Sequence, residues 1–214
     1  MTPQGIITEV RRLIQDETET YRYSDTFLLG LVNQSLKRMA LLRPDLFAYV
    51  STLTCTAGEV IQSAPADSIR VIEVYSIVGG NALIETNRET MDQNVPTWPN
   101  DTAGAAVNWF RNVRNPNKFY IYPQAPADQD LNIEYAQSPT DYAIGDTITL
   151  LPDAYFPVLV DMTVFLAESI DNEHVDSGRA KLFQDSYTQA LGLTTQSRTV
   201  TDTEQGGLAD GEVI

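Results

Sequence analysis

The apolar spacing of this chain changes twice, and those two changes decide what it can fold into. Up to Phe47 apolar residues recur three and four positions apart; from Ala48 they alternate or form short β-branched runs; near Leu151 helical spacing returns. Helices at both ends with strands between them predict a segregated α+β arrangement. The expected fold is a four-helix bundle formed by N- and C-terminal helix pairs, with an inserted antiparallel β domain and an extended C-terminal tail. The boundaries fall at 1–47, 48–150, 151–193 and 194–214.

The terminal helices carry start and stop signals. Thr2-Pro3 fits an N-cap with proline in the first turn. Ile6, Ile7, Val10, Leu13 and Ile14 then share one face, and the first helix is expected from Pro3 to about Glu17. Asp16 to Thr20 is polar and predicts a turn. Ser24 caps the second helix, with Asp25 where negative charge complements the helix dipole. Its stripe of Leu28, Leu31, Val32, Met39 and Leu42 is widened by Phe27, Leu29, Leu36 and Leu41, which makes it the expected centre of the bundle. Arg43-Pro44 ends it, because a residue before proline avoids helical backbone. Pro152-Asp153 opens the third helix, with Val158, Leu159, Met162, Phe165 and Leu166 on its apolar side. The fourth carries Ala180, Phe183, Tyr187 and Ala190, and Gly192 is a natural stop.

Between them, Tyr49–Cys55, Glu59–Gln62, Ile69–Val78, Ala82–Thr86, Val107–Arg111, Phe119–Pro123, Leu131–Tyr135 and Thr147–Leu150 read as short strands separated by turn residues. Gly79-Gly80-Asn81 and Asn115-Pro116-Asn117 predict hairpins. Asn87–Asn94 fits one short helical turn.

Cys55 and His174 are the only cysteine and histidine. Internal disulfides, thiolate metal clusters and the paired histidines of zinc-protease motifs are therefore excluded, and no cofactor or metal site is expected. No apolar run approaches the length of a membrane span, and Met1–Asp16 lacks the layout of a signal peptide, so a soluble product without membrane association is expected. The net charge of −15 is uneven. Residues 1–123 hold 13 acids and 11 bases, whereas residues 124–214 hold 16 acids and three bases. A loose polycationic grip on nucleic acid is excluded by that balance.

Several landmarks occur together in a fixed order. Arg22-Tyr23-Ser24-Asp25 leads into Leu28-Leu29 and Asn33, followed by Arg43-Pro44-Asp45-Leu46-Phe47. Ala57-Gly58-Glu59, Trp98-Pro99, Asn115-Pro116 before Phe119-Tyr120-Ile121-Tyr122-Pro123, Leu131–Tyr135 with Pro139, and Leu151-Pro152-Asp153-Ala154-Tyr155 come after. This set resembles a family of bacteriophage adaptor proteins, the head-to-tail connectors of short-tailed phages, over nearly the whole chain up to Gly192. The resemblance implies a structural virion protein of the neck, assembled in the host bacterial cytoplasm. Its partners would be the portal protein, the tail nozzle protein and further copies of itself, in a ring of about twelve. DNA would pass through the ring without specific binding. A component lower in the nozzle, or a carbohydrate-active or sugar-binding virion protein, are the alternatives.

Candidate positions follow. Arg38 and Arg43, near the end of the second helix, are either solvated charges or intersubunit partners for acids of the C-terminal part. Asp161 and Glu168 are either part of a solvated acidic face or line a channel that repels DNA at close approach. As a glycosidase pair they are two helical turns apart, about 10 Å, beyond the roughly 6.5–9.5 Å of inverting enzymes. No enzymatic activity is therefore expected. Trp98, Trp109, Tyr120, Tyr122 and Tyr135 read as core and rim of the sheet, and Cys55 as a buried small hydrophobe. Ordering a residue costs roughly 1–2 kcal/mol, and each buried aliphatic side chain returns roughly 1.5–3 kcal/mol. Leu208, Val213 and Ile214 cannot offset the ordering of Thr194–Ile214 alone, so that tail is expected to order only on a partner, as a portal-docking arm.

Overall fold

The structure is a computed structural model that describes residues 1–170 and 177–193. In chain order the first elements are α1 (Pro3–Ile14), α2 (Asp25–Leu42), β1 (Ala48–Thr54), β2 (Ile61–Ser63), β3 (Ser68–Ile77), β4 (Ile84–Glu85) and α3 (Arg88–Asn94). There follow β5 (Asn108–Arg111), β6 (Lys118–Tyr122), β7 (Asp130–Gln137), α4 (Phe156–Glu168) and α5 (Ser177–Ala190). The chain divides into a helical unit, Met1–Leu42 with the chain from Pro139 onward, and a β unit, Arg43–Ser138.

In the helical unit, the Thr2 hydroxyl accepts from the Gly5 amide and Gln15 ends α1 in left-handed backbone. The Ser24 hydroxyl accepts from the Phe27 amide at 3.2 Å, starting α2. α1, α2 and α5 each pack on α4, and nine of the 13 residues of α4 are buried. A helix apolar on nearly every side is one that others surround. Where α2 crosses α4, Ser35 and Thr163 meet at 3.2 Å. The Thr163 hydroxyl is spent on the Leu159 carbonyl, so Ser35 is the donor and neither buried hydroxyl is orphaned.

The expected four-helix bundle of two terminal pairs is overturned. A bundle needs each helix to feed a common core, whereas α5 sinks Ala180 and Tyr187 against α4 and leaves most of its length exposed. α4, not α2, is the centre; Phe27 and Leu41, which widened the α2 stripe, are exposed. A fifth helix, α3, lies in the β unit, and the described residues form seven strands in two sheets. The fold is a sheet-rich mixed α+β arrangement.

The first sheet has the order β1-β7-β3, antiparallel throughout. The second has the order β2-β6-β5-β4, with β4 parallel to β5, so the insertion is not purely antiparallel. The hairpin over Asn115–Asn117 joins β5 to β6 as expected. The Gly79-Gly80 turn yields only a single bridge, Ser76 to Ala82, and Thr147–Leu150 is not a strand. β3 slips register against β7 three times in ten residues. Each bulge adds one unpaired residue, so every third side chain, Ser68, Val71 and Val74, turns inward.

Strand alternation divides the apolar residues of the second sheet between two clusters. Trp109, Phe119 and Ile121 join Val71, Val74, Leu131 and Ile133 of the first sheet in one core. Phe110 turns the opposite way, to Trp98 and Met91.

Candidate functional site

The most completely built polar cluster of the helical unit surrounds Arg11, which sits at the i+4 position from Ile7 on the buried stripe of α1. Its guanidinium donates to Asp16 Oδ2 at 2.8 Å, to the Tyr23 carbonyl at 2.7 Å and to Asp25 Oδ1 at 2.7 Å. It also lies 3.9 Å from the centroid of the Tyr21 ring. Asp16, buried like Arg11, accepts from the Arg22 and Tyr23 amides at 2.7 and 3.2 Å. Every strand of this cluster converges on the α1–α2 connection and fixes its path. Arg22-Tyr23-Ser24-Asp25, a landmark of the adaptor resemblance, is thus a structural clamp. Its chemistry is positioning.

Asn33 does the equivalent for the returning chain. Its amide donates to the Tyr142 carbonyl at 3.1 Å and its oxygen accepts from the Tyr142 amide at 3.0 Å, mimicking a strand pair. Lys37 pairs with Asp141 one turn along.

The expected site residues are dispersed. Arg43 holds Asp45 through two bonds of 2.8 and 2.6 Å, and this bond with the arginine keeps the Asp45 carboxyl below its usual range. Arg38 is exposed and makes no ion pair among the described residues. Asp161 accepts from Ser186 at 2.6 Å. Glu168 is 5% exposed in the single chain. Cys55 is buried, and burial pushes its thiol up. Trp98 is buried edge-on to Phe110 with its ring nitrogen donating to Asp92. Leu208, Val213, Ile214 and His174 lie outside the described residues. Among the described residues no cluster of three His, Cys, Asp or Glu is placed to hold a metal, and no helix is long and apolar enough to cross a membrane.

The surface that stands out is an edge. The Cys55 amide donates to the Gln129 carbonyl, one pair beyond the β1–β7 ladder, so by alternation Leu53, Ser51 and Tyr49 turn their amides toward β7 while Thr54, Thr52 and Val50 turn theirs away. Among the described residues β1 borders no strand but β7; it is seven residues long and holds no charge, proline or bulge. Val50 is 54% exposed and Tyr49 50%. The opposite edge of the same sheet is guarded: Arg111 donates to the Val71 and Ile72 carbonyls, and the Val71 amide is taken by Pro116. Proteins normally blunt their strand edges. β1 is left open.

Beside it, Tyr75 donates to Glu134 at 2.6 Å. That bond, with burial and the nearby carboxylates, raises the phenol from 10 to about 12. The unfolded phenol loses its proton first, so this pair's contribution is intact below pH 10 and declines as pH rises toward 12. An ultraviolet titration should place one tyrosine near 12, and Glu134→Gln should return it toward 10.

Phage adaptors are the class to which these landmarks belong. The profile of the SU10 adaptor protein family matches residues 1–208, and the chain belongs to that family. The adaptor resemblance drawn from Tyr23–Phe47 and its companions is borne out. No curated protein matches the chain.

Proposed function

We propose that this chain is a head-to-tail adaptor of a short-tailed phage, a ring of about twelve copies that joins the portal to the tail nozzle and leaves a passage for DNA. Family membership supports the adaptor role, and the open β1 edge supports a docking mechanism in which a partner segment adds a strand. Main-chain bonds to Val50, Thr52 and Thr54 would supply the grip, repeated around the ring. Assembly is the activity; Asp161 bonded to Ser186 and Glu168 buried argue against their serving as a hydrolytic pair.

Thr52→Pro tests this directly. The Thr52 amide faces away from β7, so proline removes a bond the single chain does not make, and edge positions tolerate proline. The variant is expected to keep its circular dichroism and lose attachment to portal–tail particles, measured by co-sedimentation. Undiminished attachment would reject strand addition at β1.

A further inference from the structure

The cations of the β unit fall into two sets. Arg43, Arg88 and Arg111 are neutralised inside the unit by Asp45, Asp92 and Glu85. Arg70, Arg114 and Lys118 are exposed, make no ion pair among the described residues, and gather around one feature, the β5–β6 hairpin. Arg70, Arg111 and Lys118 line a hollow of about 220 Å³ floored by Trp109 and Phe119, with no acid in its wall. At the hairpin, Val113 is 95% exposed. A lone exposed valine means little. Val113 sits between Arg114 and the basic hollow on one side and, on the other, a second hollow that holds Glu85, Glu89 and Asp92, two of them already paired with Arg111 and Arg88. The positive charge left unpaired beside it is therefore that of Arg70, Arg114 and Lys118, and on a chain of net −15 it marks a contact surface.

We propose that this hairpin docks a second copy of the chain, through the acid-rich portion that follows Gln124. Charge complementarity selects the occupant. That portion holds 16 acids against three bases; Asp141 and Asp153 are taken by Lys37 and the N-terminal amine, and the surplus that remains complements the unneutralised cations of the next copy. The two surfaces differ, which makes the contact heterologous, the kind that closes into rings. Duplex DNA fits less well: three cations on a chain of this charge are a weak phosphate surface, and an exposed valine contributes nothing to phosphate binding. The inference rests on the ring reading, but its test measures self-association and not portal attachment, so either can fail alone.

The full chain is compared with its Arg70→Glu/Arg114→Glu/Lys118→Glu variant by sedimentation at high protein and low salt. A photo-crosslinking residue is placed at Val113 in a second preparation. Self-association is expected to weaken at least tenfold in the variant and to fall with added salt in the parent, with unchanged circular dichroism. Cross-links are expected to reach peptides beyond Gln124 of another copy. A parent chain that does not self-associate at low salt, association indifferent to the triple reversal, or cross-links confined to residues 1–123 would each overturn the proposal. A gel shift of duplex DNA that the reversal abolishes, or cross-links to portal in place of a second copy, would overturn it too.

Discussion

Arg11→Ala is expected to destabilise the helical unit by about 3–5 kcal/mol, the usual cost of breaking a buried ion pair from one side. The substitution strands the Asp16 carboxylate with only the Arg22 and Tyr23 amides, and leaves the Tyr23 carbonyl and Asp25 without their shared donor. Urea unfolding followed by circular dichroism measures it. Arg11→Lys should recover only part of the loss, because an ammonium cannot span three acceptors as the planar guanidinium does. Arg11→Met with Asp16→Leu should cost less than Arg11→Ala, since no charge is left buried alone. A loss below about 1 kcal/mol for Arg11→Ala would mean the clamp is solvated in the working protein.

Phe110→Ala is expected to cost the β unit about 3–5 kcal/mol. Phe110 is fully buried, stacked on Tyr120 with centroids 4.8 Å apart and edge-on to Trp98 at 5.0 Å. Truncation forfeits transfer energy and both ring contacts, and the flanking rings are themselves held: Trp98 by Asp92, Tyr120 by its strand. They cannot collapse into the space. Val113→Ala, on the exposed hairpin, should stay within about 0.5 kcal/mol in the single chain.

Much of this architecture was legible because local chemistry spoke plainly. The Ser24 cap, the Asn115–Asn117 hairpin and the Asn87–Asn94 helical turn each depend on a few adjacent residues and appear where their residues predict. The hub of the helical unit was not legible in the same way. Periodicity reports a stripe, and α2 has the wider one on paper; which helix is enclosed depends on what surrounds it, and Phe27 and Leu41 find no cover. The parallel β4–β5 pair escaped because a glycine turn reports where a chain reverses, not which neighbour it joins next. Of the candidate site, the carboxylates were visible as composition, but Ser186 on Asp161 and the burial of Glu168 are tertiary facts. The Arg11 clamp did leave a trace: an arginine in register with Ile7 and Ile14 on an apolar face implies a buried partner. The β1 edge left none, since an unpaired amide is invisible until the sheet order is known.

The central place of α4 also sets a timetable. During synthesis, α1 and α2 emerge with their apolar faces uncovered, and their principal partner follows more than a hundred residues later. The intervening Arg43–Ser138 is continuous and can close on itself first. The helical unit, though built of local segments, therefore carries the long-range contacts that make folding slow. Its ribosome-bound N-terminal pair is the stage most exposed to aggregation, and substitutions in α4 reach the yield of soluble protein through α1 and α2 as much as through α4 itself.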